Sequence, residues 1–206
     1  YSFQVGKNTS LLTLFFCQDE NAFSVPAFPF PILQHVILNI AKMNLTATAE
    51  NGRARIELKG TISKWRETEA EFTSKVEQLI RSGIKDVHIY INSPGGECFE
   101  ANEIVNVIKK FPGKITGEGG ALVASAATYI AINCTSFSMP ANGLFMIHQV
   151  SGGACGRVAD IESALEVMRK LNEHYLNAFL SKCTDKKKIR DAWEKGDYWM
   201  LSLIHI

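Results

Sequence analysis

The sequence predicts an α/β fold built on a mainly parallel β-sheet. From residue 43 onwards, segments with the two-residue period of a β-strand alternate with segments that have the period of an α-helix. Strands separated by helices are typical of α/β layering, in which parallel strands form the sheet. The 206 residues, of which 46% are hydrophobic, suffice for one domain with a sizeable core.

The first predicted elements lead into a turn with two adjacent glycines. Arg53–Lys59 alternates polar and apolar residues and is predicted to be a half-buried strand. Glu67–Ser82 has apolar residues at helical spacing and is followed by Gly83, a typical helix cap. Val87–Ile91 is β-branched and aromatic, which predicts a strand that runs into the turn Ser93–Gly96.

The rest of the chain continues the alternation. In order, we predict a helix over Cys98–Phe111, a short strand over Ile115–Glu118, a helix over Ala126–Ile132, a strand over Gly143–Ile147 and a helix over Ala159–Leu180. The last helix is the longest, and its apolar residues from Ile161 to Phe179 lie on one stripe.

Residues 1–42 differ in character from the remainder. They are rich in Phe and Pro and nearly free of charge, and the prolines between residues 26 and 31 prevent a continuous helix. We therefore predict a domain over residues 43–206 that starts at Met43. Residues 1–42 are an unassigned extension or translated upstream sequence outside the native protein.

Composition argues against several classes of function. A net charge of +1 gives no reason to expect a nucleic-acid partner, and no apolar stretch reaches the roughly 20 residues that span a membrane. The five cysteines are scattered without a Cys-x-x-Cys pair, so neither a zinc site nor a disulfide framework is indicated. Their odd number fits a reducing compartment.

Three segments together have the parts of an acyl-transfer site. Ser125 lies among small residues at the start of a predicted helix, where the helix dipole favours negative charge on an attacked oxygen. The amides of the Gly95-Gly96 turn and of Ala126 are candidate donors to that oxygen. His148 follows a strand, and a pKa near 6.5 suits it as a general base.

Each segment alone has a plainer explanation, as a turn, a helix cap or a structural histidine. The ordered set predicts a serine peptidase, which needs a nucleophile, a base and oxyanion donors. A carboxylate should orient the histidine. Spacing leaves five candidates open for that carboxylate: Asp160, Glu162, Asp185, Asp191 and Asp197.

The chain from about Met43 to Ser202 resembles the Clp protease proteolytic subunit family, within the crotonase-like superfold. It is most similar to the phage-type members, some of which are head maturation proteases. Four motifs carry the resemblance: Ile91–Gly96, Ala124–Ala127, Met146–Gln149 and Asp197–Met200. The resemblance implies repeated β-β-α units, a mainly parallel sheet and a long helix after the catalytic histidine.

The resemblance also implies roles for individual residues. Ser125 would be the nucleophile, His148 the general base and Asp197 the acid that orients His148, with the amides of Gly96 and Ala126 as the oxyanion hole. It implies no metal or other cofactor. The implied substrates are unfolded polypeptides or phage capsid and scaffold proteins, in the cytoplasm of a bacterial or phage-infected cell. A homo-oligomeric ring, as a heptamer or as stacked rings, and an AAA+ ATPase or phage capsid proteins are the implied partners, and the implied endopeptidase is either ATP-independent or ATPase-assisted.

The sequence departs from the family pattern at both ends. Residues 1–42 have no counterpart, and after Ser202 the family's acidic helix and final strand are replaced by a short tail that resembles read-through. We expect this ending to loosen Asp197 and to lower stability. A thermal melt that is unchanged when a family-like C-terminal segment is added would contradict this expectation.

Three alternatives remain. An acyl-CoA hydratase or isomerase of the crotonase group shares the oxyanion turn but needs no serine nucleophile, and no glutamate is evident in the helix after Ser125. A Ser/Lys peptidase needs a lysine in an apolar setting, which the sequence does not offer. A catalytically silent ring or scaffold subunit would not need Ser125, His148 and Asp197 together.

Overall fold

A mixed β-sheet organises the part of the chain that this computed structural model describes, residues 44–50, 53–64 and 68–201. Its strands are β1 (Asn44–Glu50), β2 (Arg53–Lys59), β3 (Asp86–Ser93), β4 (Lys114–Ala124), β5 (Ser136–Ser138), β6 (Leu144–Ile147) and β7 (Tyr198–Leu201). The spatial order is β1-β2-β3-β4-β6-β7, and β5 also pairs with β4. The inner pairings are parallel, whereas β1 and β7 pair antiparallel at the two edges. The predicted α/β class with a mainly parallel sheet is confirmed.

Five helices accompany these strands within the described residues: α1 (Thr68–Arg81), α2 (Cys98–Lys110), α3 (Ala126–Ile132), α4 (Val158–Lys182) and α5 (Lys186–Lys195). The first four agree with the predicted helices to within two residues at each end. Gly83 adopts φ of 74° after α1, as its predicted capping role requires. The helix α5 and the strands β1, β5 and β7 were not predicted.

The core lies between one face of the sheet and the helices. Alternate residues of β2 and β3 point into it, and the side chains of Ile56, Leu58, Ile89 and Ile91 are fully buried. Each such side chain contributes about 1.5–3 kcal/mol relative to an exposed position. The other face of β2 and β3, together with that of β4, carries half-buried polar side chains, which form a network of Arg55, Glu57, His88, Thr116 and Glu118.

The prediction of a short strand over Ile115–Glu118 is wrong in length, because β4 continues to Ala124. Gly119 and Gly120 lie within the strand, at places where larger residues do not fit. A Cβ on Gly120 would collide with the Tyr90 hydroxyl and with Asn92. The register with β3 shifts at this point, and the Leu122 amide donates a hydrogen bond of 3.0 Å to Asn92 Oδ1.

The apolar stripe of α4 is only partly in the core. Tyr175 and Phe179, near its C-terminal end, are buried, whereas Ile161 and Leu165 remain 45% and 44% exposed. Helical periodicity therefore predicted the stripe but not what covers it. None of the helices in the described ranges is long and apolar enough to cross a membrane. The predicted extension over residues 1–42 and the tail after Ser202 lie outside the described residues.

Candidate active site

The predicted site segments meet at one edge of the sheet. The turn with the two glycines follows β3, Ser125 follows β4 and His148 follows β6. These three strands are parallel, so their carboxyl ends lie at the same edge, which is where open α/β sheets bind ligands. The Ser125 amide donates to the Met146 carbonyl at 2.9 Å, which extends the β4–β6 ladder by one bond.

Ser125 has an unusual backbone. Its φ of 54° is the one positive value among the described residues other than glycine, and its ψ is −130°. It occupies the N-cap position of α3, yet its side chain makes no capping hydrogen bond. Its Oγ lies 2.7 Å from Nε2 of His148 instead. A strained residue whose hydroxyl contacts an imidazole is typical of a nucleophile rather than of a helix cap.

His148 has a setting that keeps its imidazole neutral. Burial lowers the pKa of His148, and the negative charge of Asp197 opposes part of that shift. Nδ1 of His148 is 3.6 Å from Oδ1 of Asp197. That distance is an ion-pair contact but is longer than a hydrogen bond.

Asp197 reaches His148 because β7 is antiparallel to β6. Tyr198, the first residue of β7, pairs with Ile147, the last residue of β6, so the residues on either side of this pair are neighbours. Of the five carboxylates that spacing left open, Asp197 is the one that contacts the imidazole. Its side chain is 49% exposed, compared with 24% for His148.

The turn after β3 packs closely against the segment that contains Ser125. Gly95 and Gly96 have φ of 94° and 146°, and a Cβ on Gly95 would lie 2.6 Å from the Ala124 carbonyl oxygen and 2.8 Å from the Ala126 nitrogen. The Gly95 carbonyl accepts from the Ile62 amide, and the Ile62 carbonyl accepts from the Glu97 amide. This parallel bridge fixes the orientation of the peptide group between Gly95 and Gly96.

Two amides at this place have no acceptor among the described residues. The Gly95 amide donates to Ser93 Oγ at 3.0 Å and the Glu97 amide to Ile62, which leaves the Gly96 amide between them. The Ala126 amide begins α3 and is one of the donors that a helix N-terminus leaves without an intrahelical partner. Both candidate oxyanion donors are therefore available to a substrate oxygen.

Sequence reasoning missed two residues that build this site. Ser93 is fully buried and accepts a hydrogen bond from the Gly95 amide, and Asn92 accepts one from the Leu122 amide of β4, three residues before Ser125. A signal was present, because Asn and Ser next to Pro-Gly commonly bond to nearby backbone in turns.

Other reactive side chains have partners elsewhere. His88 bonds to Thr116 and Glu118 on the polar sheet face, and Nε2 of His174 lies 2.7 Å from the Tyr129 hydroxyl. Burial raises the pKa of Cys98, which comes two residues after Gly96. This thiol is therefore poorly suited to be a nucleophile.

A protein family and several individual proteins are similar to this chain over most of its described residues. The family model described as Clp protease matches residues 52–202. The ATP-dependent Clp protease proteolytic subunit 3 of Rhizobium johnstonii is 33% identical over 144 residues, which cover 64% of this chain and 74% of that protein. The subunit 3 of Rhizobium meliloti is 31% identical over 145 residues, or 68% of this chain and 72% of that protein. A chloroplastic proteolytic subunit 4 of Arabidopsis thaliana is 34% identical over 106 residues, or 50% and 35%. Because the family model covers well over half of the sequence, the chain belongs to the Clp protease family.

Proposed function

We propose that the chain is a serine endopeptidase that cleaves polypeptides through an acyl-enzyme. Ser125 is the nucleophile, His148 the general base and Asp197 the residue that orients His148. The observation that carries the proposal is the 2.7 Å contact between Ser125 Oγ and His148 Nε2 at a serine with a positive φ. Membership of a peptidase family supports the same reaction class.

Acylation begins when Ser125 Oγ attacks the carbonyl carbon of the scissile peptide bond. Nε2 of His148 takes the hydroxyl proton, which requires the tautomer that carries its other proton on Nδ1, facing Asp197. The 3.6 Å gap between Nδ1 and Asp197 is expected to shorten when the imidazolium forms, since catalytic contacts often tighten in the substrate complex.

The carbonyl oxygen becomes an oxyanion in the tetrahedral intermediate. The amides of Gly96 and Ala126 donate hydrogen bonds to it, and a single such donor typically contributes about a hundredfold to a thousandfold in rate. The intermediate collapses as the imidazolium gives its proton to the leaving amine. A water molecule, deprotonated by His148, then attacks the ester. As the acyl–oxygen bond breaks, the imidazolium returns the proton to Ser125 Oγ and the second product leaves.

The proposed assembly is a homo-oligomeric ring, as a heptamer or as stacked rings, that encloses the active sites. The N-terminal half of α4 supports a subunit contact, because Val158, Ile161, Leu165 and Val167 are 43–73% exposed there. Relatives are named as proteolytic subunits of an ATP-dependent protease. We therefore propose that an AAA+ ATPase supplies unfolded chains, with phage capsid or scaffold proteins as the alternative substrates.

The alternatives account for less of this geometry. A crotonase-type hydratase or isomerase has no use for a hydroxyl held against an imidazole at a strained backbone. A catalytically silent ring subunit would gain nothing from that strain, which costs about 1–3 kcal/mol. Hydrolysis through Ser125 explains both features.

The direct test uses a fluorescent fluorophosphonate, which labels activated serines. Wild-type protein should be labelled and should cleave a casein or peptide substrate, whereas Ser125→Ala and His148→Ala should do neither. Ser138→Ala removes an exposed hydroxyl from β5 and should behave as the wild type. Equal labelling of the wild type and Ser125→Ala would refute the proposal.

A further inference from the structure

A side-chain contact connects the segment of the base to the segment of the acid. Gln149 directly follows His148, and its Nε2 donates a hydrogen bond of 3.1 Å to the carbonyl oxygen of Trp193. Trp193 lies in the last turn of α5, four residues before Asp197. The carbonyls of a last helical turn have no intrahelical partner, so Gln149 fills a position that would otherwise need water.

The acid has few other constraints on its position. Gly196, between α5 and Asp197, has φ of 126°. Glycine restricts the backbone less than any other residue, so it does little to fix the position of Asp197. Asp197 itself is half-exposed and lies beyond hydrogen-bond distance of the imidazole. The helix end is firmer, because Trp193 is 2% exposed and packs against Phe179 with ring centroids 5.8 Å apart.

We propose that Gln149 is a positioning residue that keeps Asp197 against His148 by holding the C-terminal end of α5 to the segment after β6. The inference rests on the proposed function, because it assigns Gln149 to the support of the same Ser-His-Asp set. His148 directly precedes Gln149, one partner of this hydrogen bond, and Asp197 follows Trp193, the other partner, by four residues. Losing it frees the carboxylate to move away from the imidazole.

The consequence is a change in the protonation of His148. Among charged side chains of the described residues, Asp197 is the one whose charge acts on His148, and it favours the protonated imidazole. If Asp197 moves away, His148 loses that support and its pKa falls. The acidic limb of the pH–rate profile then moves to lower pH, while the rate on the plateau falls because the imidazole is less well oriented.

The experiment measures the second-order rate constant of fluorophosphonate inactivation as a function of pH. Gln149→Met keeps the length of the side chain without a donor, and Gln149→Leu is a second neutral variant in case the first folds poorly. The matched control is Asn133→Leu, which removes another side-chain amide bond to a backbone carbonyl, that of Tyr129 at the end of α3. Each variant is also made in an Asp197→Asn background.

We expect Gln149→Met and Gln149→Leu to lower the plateau rate by about tenfold and to move the acidic limb down by about half a pH unit. Asn133→Leu should lower the melting temperature without moving the limb. In the Asp197→Asn background the Gln149 variants should cause no further shift. An unmoved limb, or an equal shift with and without Asp197, would overturn the inference.

Ser125→Ala is measured in the same assay, so that failure of the proposed function can be told apart from failure of the inference about Gln149. If Ser125→Ala is still inactivated at the wild-type rate, the proposed function fails, and the inference about Gln149 fails with it. If Ser125→Ala is inert but Gln149→Met keeps the wild-type profile, the inference alone fails and the proposed function stands.

Discussion

The strained backbone at Ser125 should make glycine a better replacement than alanine there. With φ of 54° and ψ of −130°, Ser125 is close to the first central position of a type II′ turn, which glycine favours. Alanine keeps the Cβ that causes the strain, and glycine removes it. Both variants lack the hydroxyl, so the lost contact with His148 cancels when they are compared.

The size of the difference follows from two opposing contributions. A residue other than glycine in such a region costs about 1–3 kcal/mol. Glycine gains roughly 0.5–1 kcal/mol of backbone entropy in the unfolded chain, which offsets part of the benefit. We therefore expect Ser125→Gly to be more stable than Ser125→Ala by up to about 2.5 kcal/mol, with a melting temperature higher by about 2–4 °C for each kcal/mol.

Urea unfolding and thermal melts of the two variants measure this difference. Protein concentration must be the same for both, because assembly would make the melting temperature depend on it. The control pair is Ser74→Gly and Ser74→Ala, at an exposed position inside α1 where alanine should be the more stable by about 1 kcal/mol. If Ser125→Ala is the more stable of the two by about 0.5–1 kcal/mol, as expected where the backbone is unstrained, the reasoning fails.

Three further predictions concern pH, the glycine turn and assembly. Because burial lowers the pKa of His148, the acidic limb of inactivation should have its midpoint below pH 6.5, and Asp197→Asn should move it lower still; a midpoint above 7 would contradict this. Gly95→Ala forces a Cβ to within 2.6 Å of the Ala124 carbonyl oxygen and so displaces the adjoining Gly96 amide; the inactivation rate should fall about a hundredfold or more, and a loss below threefold would argue against Gly96 as an oxyanion donor. If the proposed ring forms, Leu165→Glu should convert it to smaller species in sedimentation velocity while leaving the far-ultraviolet circular dichroism unchanged, and unaltered sedimentation would show that α4 is not a subunit contact.

The meeting of Ser125 and His148 follows from features that the sequence displays. Each follows an apolar segment that becomes a strand, and adjacent parallel strands bring their carboxyl ends together. Asp197 is different, because its approach depends on the antiparallel strand β7, whose four residues show no clear period. Only resemblance to a family singled it out from the other carboxylates.

The wrong length predicted for β4 and the unpredicted exposure of the α4 stripe have a common physical origin. Glycine has a low intrinsic preference for strands, but in β4 Gly120 allows Tyr90 and Asn92 to approach the backbone closely. Likewise, the period of α4 reveals an apolar stripe, whereas burial depends on which surfaces reach it. Both outcomes are decided by neighbours distant in the chain, and short-range patterns do not contain that information.

The location of Asp197 beside the short edge strand has a consequence for how reactivity is lost on heating. Among the described residues, the four of β7 pair with the sheet along one side, through β6, whereas Ser125 and His148 are attached to the inner strands. Edge segments of this kind fray at lower free energy than the body of a domain. Detachment of β7 would leave the Ser125 hydroxyl and the His148 imidazole paired but would remove the Asp197 carboxylate. On heating, reactivity toward fluorophosphonate should therefore be lost several degrees below the cooperative melt.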